Sequence, residues 1–120
     1  MSISLLHDHD NVYRMEVSGL LRKAEWDQYE STMAGEMRRS GHVKLLVVIQ
    51  HNFEGWERGV NWNDLTFYVA HGDEIDRIAI VGDDRWKADA LVFAAAGLRK
   101  APVEFFTPDD VARATAWLSA

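Results

Sequence analysis

Two stretches of this chain, Val43–Ile49 (Val-Lys-Leu-Leu-Val-Val-Ile) and Ile75–Val81 (Ile-Asp-Arg-Ile-Ala-Ile-Val), are rich in β-branched residues and almost continuously apolar. A strand with one wet face alternates apolar and polar side chains, so near-continuous runs belong to strands covered on both faces. Helices on both sides of a parallel sheet supply that cover, which confines the chain to an α/β arrangement. A shorter run, Val103–Phe106, repeats the interval: strand starts near 43, 75 and 103 are separated by roughly 30 residues, the length of a βαβ crossover, and such crossovers are right-handed in nearly all cases.

The segments between these strands carry helix signals. From Lys23 to Ser40, Trp26, Tyr29, Met33 and Met37 recur at steps of three and four, one stripe of a helix. Glu25 and Asp27 load its first turn, Arg38 and Arg39 its last, and Gly41 is placed to end it as C′. Residues 61–71 form a second helix behind an Asn61 cap, and Asp83 caps a third over residues 84–98. Thr107-Pro108-Asp109-Asp110 gives a cap, a proline at N1 and a carboxylate at N3 for a closing helix that buries Val111, Ala114 and Leu118. At the other end, residues 3–7 and 12–18 flank the turn-rich Asp8-His9-Asp10-Asn11 and read as a hairpin. In its second arm Tyr13, Met15 and Val17 alternate with Arg14, Glu16 and Ser18, which predicts one wet face, as near a sheet edge. The expected order is β-β-α-β-α-β-α-β-α, in one domain spanning residues 1–120.

Composition removes several classes of function. The 120 residues hold 13 Lys and Arg against 19 Asp and Glu, a net charge of −6, and the basic residues are scattered. Nothing here resembles an electrostatic footprint for a phosphate backbone, so nucleic acid is not an expected partner. The chain has no cysteine, which excludes disulfides, thiolate nucleophiles, Fe–S clusters and Cys-ligated zinc and suits a reducing cytoplasm. No basic n-region with a long apolar h-region opens the sequence, and no stretch approaches 18 consecutive apolar residues.

Several segments, taken in order, resemble the SpoIIAA-like family, relatives of STAS domains that share a fold with CRAL-TRIO (Sec14-type) lipid-binding domains. They are Gly19 closing the second strand, Leu45-Leu46-Val47 in the third, Phe53-Glu54-Gly55-Trp56 after it, and Asp64 in the following helix. Ile78-Ala79-Ile80-Val81-Gly82-Asp83 then leads to Trp86, and Phe105-Phe106, Ala112 and Ala116-Trp117-Leu118 end the chain. The resemblance implies a βα superhelix with a mixed five-stranded sheet, its first strand antiparallel to the rest, and four helices. It also implies a regulatory or ligand-binding role, with an apolar cleft under a mobile helix for a hydrophobic ligand or a membrane contact, and no enzyme. STAS antagonists of anti-sigma factors carry a phosphorylatable Ser or Thr after the third strand; residues 50–64 contain neither, so a phospho-switch of that kind is not expected.

Ligands of open α/β sheets collect beyond the carboxyl ends of the parallel strands, here at His51, Asn52 and Phe53, at Gly82, Asp83 and Asp84, and at Thr107. Asp83 and Asp84 occupy the positive end of their helix, so an anion there meets like charge, and no phosphate-loop motif is present. The run Phe53-Glu-Gly-Trp-Glu-Arg-Gly-Val-Asn-Trp is more informative, for it sets a phenylalanine and two tryptophans among glycines in a surface connection, the pattern of a wall or lid. Trp62, Leu65 and Val69 form one stripe of the next helix while Phe67, Tyr68 and His71 fall elsewhere on the wheel; the helix from Asp84 is apolar nearly all round after its first turn, with Trp86, Ala90 to Ala96 and Leu98. The expected ligand-binding residues are therefore Phe53, Trp56, Trp62, Leu65, Val69, Trp86 and Phe93, around a cleft for an apolar or lipid-like molecule. The alternatives are that these rings complete the core, or that they form a homodimer, docking or peripheral membrane surface. His7 and His9, at i and i+2 beside Asp8 and Asp10, suggest a metal pair without a fixed third ligand, and no metal or cofactor is expected. His51 and Glu54 offer an acid–base pair, with Asp83 near, but no nucleophile stands beside them. Glu57 and Arg58 are expected to face solvent.

Overall fold

A computed structural model describes residues 3–59, 75–93 and 101–120, less the side chains of Met37 and Ser40. Its main sheet contains β1 (Ile3–His9), β2 (Val12–Val17), β4 (Val43–Ile49), β6 (Ile75–Val81) and β7 (Val103–Phe106), in the spatial order β1-β2-β4-β6-β7. β1 is antiparallel to β2, and β2, β4, β6 and β7 are mutually parallel, the mixed topology that the resemblance implied. Two further strands, β3 (Leu20–Leu21) and β5 (Gly55–Trp56), pair in parallel as a separate two-stranded sheet. That sheet was not expected from the sequence, because two-residue ladders carry no periodicity.

Helix α1 (Lys23–Ser40) buries the expected stripe through Trp26, Tyr29 and Met33, and Gly41 ends it with φ +79°, the left-handed turn that favours glycine. After β6, Asp83 accepts a hydrogen bond from the Arg85 N–H at 2.9 Å and caps a 3₁₀ turn, Asp84–Trp86, that runs into α2 (Lys87–Phe93). A second 3₁₀ turn, Pro108–Asp110, leads into α3 (Val111–Ser119); the Thr107 hydroxyl meets Asp110 at 3.4 Å and caps no backbone amide. The expected helix at 61–71 and the end of the expected helix at 84–98 lie outside the described residues.

Side-chain alternation splits the core in two. One face of the sheet sends Tyr13, Met15 and Val17 from β2, Val43, Leu45 and Ile49 from β4, and Ile78 and Ile80 from β6 toward α1 and α2. The other sends Leu46, Ala79 and Val81 against Ala114 and Leu118 of α3. The polar alternation of β2 fits the expected place near a sheet edge, since β2 lies directly beside the edge strand β1. β2 is not an edge strand; α3 packs over β4, β6 and β7, and Arg14 and Glu16 of β2 stay half-buried, 3.3 Å apart, with Gln50 Nε2 donating to Glu16 at 2.9 Å. β1 and β7 are the edge strands of the described sheet, and most of β1 is exposed. Among the described residues no helix is long and apolar enough to cross a membrane.

Candidate functional site

The chain leaving β4 is held by backbone hydrogen bonds rather than left as a free surface connection. Gln50 N–H donates to the Val17 carbonyl at 2.9 Å, Glu54 N–H to Gly19 at 2.8 Å and Glu57 N–H to Leu21 at 2.8 Å. Glu57 does not simply face solvent: its carboxylate accepts from the Lys23 N–H at 3.0 Å, satisfying one of the amides that the first turn of α1 leaves without an intrahelical partner. Arg58 is exposed, as expected. These bonds fix the backbone on both sides of Phe53 and Trp56, with Trp56 in the small sheet and Phe53 in the connection just before it.

The rings then pack edge to face. Phe53 meets Trp56 at 5.1 Å between centroids and 87° between planes, and Trp86 at 5.0 Å and 73°. Trp56 meets Trp86 at 6.0 Å and Phe93 at 5.6 Å, and Phe93 meets Trp26 of α1 at 4.8 Å. Edges and faces of aromatic rings carry opposite partial charge, so such pairs each add about 0.5–1.5 kcal/mol beyond their buried area. Gly55 permits the arrangement through its backbone. Its φ of +110° suits glycine alone, whereas a Cβ there would meet the Trp86 ring only at ordinary contact distance, 3.5 Å.

Beneath the rings lies a hollow of ≈ 60 Å³. Met15, Val47 and Ile80 border it from the sheet, Trp26 and Tyr29 from α1, Ala90 and Phe93 from α2, and Phe53 and Trp56 from the β4–β5 connection. A single water needs only about 10–15 Å³ of such space, but it also needs two to four polar partners. Among the described residues the lining holds no carboxylate, imidazole, amine or guanidinium. Such walls favour an apolar guest over water. The polar atoms of the lining side chains are the indole N–H groups of Trp26 and Trp56 and the Tyr29 hydroxyl, and of these the Trp56 Nε1–H is buried with no hydrogen-bond partner among the described residues. A buried donor left in that state costs about 1–3 kcal/mol.

The SpoIIAA-like family profile matches residues 12–119. The chain belongs to the SpoIIAA-like family. A crystal structure of an uncharacterized DUF3478-family protein with a SpoIIAA-like fold, from Shewanella loihica PV-4, superposes with a TM-score of 0.68 at 22% identity, covering 97% of this chain and 91% of that one. At that identity the likeness shows the fold alone. No curated protein matches the chain.

Within this SpoIIAA-like fold, Phe53, Trp56, Trp86 and Phe93 form one continuous cluster. Phe53, Trp56 and Phe93 line the hollow, while Trp86 backs Phe53 and Trp56 and turns its other side to the Arg85 guanidinium, 5.0 Å from the ring centroid. Trp62, Leu65 and Val69 lie outside the described residues. Trp26 and Tyr29 are the residues that sequence reasoning missed. Their helical stripe marked them correctly as core, and two large rings three residues apart, set over branched aliphatics, were the signal that this part of the core would fill imperfectly.

The other candidates stay apart from the hollow. A groove of ≈ 360 Å³ at the carboxyl edge of the strands is bordered by Gln50, His51, Asp83, Arg85 and Pro108. His51 and Glu54 are both exposed, and among the described residues no hydrogen bond joins them. The hairpin separates the two histidines: a bulge between His7 and His9 breaks the register, His7 meets the Asp10 carbonyl at 2.5 Å, and His9 meets the Asp8 carboxylate at 2.7 Å. Among the described residues no group of three His, Asp or Glu gathers at this turn.

Proposed function

We propose that this SpoIIAA-like chain is a non-catalytic cytoplasmic binding module that takes a small apolar molecule, or the apolar end of a lipid-like one, into the space between the sheet and helices α1 and α2. One observation carries the reading: a core held by well-oriented aromatic pairs nonetheless retains a hollow with almost wholly apolar walls, at a place where the sequence sets aromatic residues outside the central strands. Its ≈ 60 Å³ accommodates only a few heavy atoms. A larger guest therefore enters by displacing α2, in which Ala90 is the one fully buried side chain among the described residues. The hollow is the ligand's anchor point in this reading, and Phe53, Trp56, Trp86 and Phe93, with Trp62, Leu65 and Val69 of the following segment, form its recognition surface.

Native mass spectrometry of freshly purified protein, followed by solvent extraction, tests the proposal. The expected result is a low-molecular-mass organic cargo, or uptake of an added medium-chain alkyl compound with a change in tryptophan emission. An empty extract together with emission that ignores such compounds overturns it. A second reading, a docking surface for another protein, a second copy or a membrane, draws on Val92 of α2, which is 81% exposed. It predicts a dimer, a captured partner or vesicle binding in place of cargo.

A further inference from the structure

The unpartnered Trp56 Nε1–H says something about the guest that an apolar wall alone does not. We infer that the site selects a molecule carrying one uncharged oxygen acceptor, such as a ketone, ester or amide carbonyl, at the end of an apolar body, and that Trp56 donates its indole N–H to that oxygen. The inference rests on the ligand reading above and names the chemical class of that ligand.

Three observations carry it. Trp56 borders the hollow, no group among the described residues accepts its Nε1 proton, and that atom is closed off even from a water-sized probe, so a guest reaches it only by parting the groups packed around it. The ring has no freedom to turn the N–H elsewhere without loss, because Leu21 pairs with Trp56 in the small sheet and three rings, Phe53, Trp86 and Phe93, pack on it. An indole N–H is a donor only, so a guest must supply the acceptor. Charge decides between acceptors. A carboxylate would hydrogen-bond more strongly, but its burial is severely unfavourable without a cation, and the described lining offers only neutral donors, of which the Trp56 N–H is buried without a partner among the described residues. A neutral carbonyl oxygen satisfies the N–H and brings no charge with it. A plain hydrocarbon would fill the space and leave the donor unsatisfied.

The test compares 2-octanone, its methylene isostere 2-methyl-1-octene, and octanoate, in the wild type and in Trp56→Phe. Trp56→Phe keeps an aromatic ring and removes the donor. The expected result is that the wild type binds the ketone more tightly than octanoate at neutral pH, and that Trp56→Phe weakens ketone binding on the order of tenfold more than it weakens isostere binding, the isostere reporting the loss of ring packing alone. Equal losses for ketone and isostere would overturn the inference and leave the ligand reading standing, since Trp56 would then be a packing ring only. Failure of all three compounds to bind the wild type would overturn both. A measurement on the wild type alone guards against misfolding of the variant: the Trp56 indole ¹H–¹⁵N resonance should move downfield on addition of ketone and not of isostere, and the absence of that difference also overturns the inference.

Discussion

The two faces of the central sheet are built from the same strands by the same alternation, and they are filled in opposite ways. Under α3 the contact is made by small and medium side chains: Ala79, Ala114 and Leu118 are 0% exposed, and Trp117 sits at the margin with Phe106 at 6.1 Å and the Arg77 guanidinium at 5.2 Å. Under α1 and α2 the contact is made by Trp26, Tyr29, Phe53, Trp56 and Phe93, and a hollow remains. Alanines let a helix approach until the surfaces mesh, whereas large flat rings locked edge to face hold the helices off and cannot bend into the remaining corners. One face is thus close-packed, and the other keeps unfilled space between its rings and the sheet.

The contrast is sharpest where atoms are removed from the close-packed face. Leu118→Ala should destabilise the protein by about 2–5 kcal/mol, because it deletes a fully buried side chain from a contact with little room to relax. Urea unfolding measures it, and a loss below about 1 kcal/mol would mean that the α3 face is looser than its burial indicates.

Adding atoms separates the faces next. Ala114→Val puts two methyl groups where Ala79 and Leu118 already fill the space, and should cost about 1–3 kcal/mol through overpacking. Ala90→Val makes the same change on α2 beside the hollow. There the added carbons gain burial of about 0.8 kcal/mol each, which offsets the poorer helix propensity of valine, about 0.6 kcal/mol, so stability should shift by less than about 1 kcal/mol. If the proposed function holds, Ala90→Val also reduces uptake of apolar probes. Equal destabilisation by the two substitutions would remove the distinction between the faces.

The sheet was legible in the sequence because its signals are local and redundant. Val43–Ile49 and Ile75–Val81 announce strands covered on both faces, and the stripe of Trp26, Tyr29 and Met33 announces a helix lying on one of them. The pairing of Leu20-Leu21 with Gly55-Trp56 was not legible, since it joins residues far apart in sequence through ladders too short to show a period. The wetness of β2, by contrast, was legible: the alternation that leaves Arg14 and Glu16 without full cover belongs to a strand near the sheet edge, beyond the reach of α3. The hollow is legible only in part. Phe53, Trp56 and Phe93 are recognisable as rings outside the central strands, but a void is what remains after packing, and sequence gives the volumes of the pieces without the way they tile.

Tyr13 offers the smallest effect and the most direct counterpart to Trp56, because each is an aromatic ring with a polar handle on the same face of the sheet. Tyr13 lies toward the amino end of the parallel strands with its ring 4% exposed, and its hydroxyl donates to Glu36 Oε2 at 3.0 Å. The Arg39 guanidinium also donates to Glu36, and these two bonds, the arginine's the larger, hold the Glu36 carboxyl below its ordinary 4.5. A carboxyl whose pKa is lowered by folding favours the folded state when ionised. Its contribution is therefore complete above the unfolded value and fades as pH falls through the lower folded one. Glu36→Gln should accordingly be less stable than the wild type near pH 6 by a small margin, and that margin should shrink toward pH 3; urea unfolding at the two values checks it, and a difference that does not depend on pH would dissociate the Tyr13 hydroxyl from a charged partner. Tyr13 thus has in Glu36 an acceptor supplied by the chain itself, whereas the Trp56 N–H at the other end of the same face has none among the described residues.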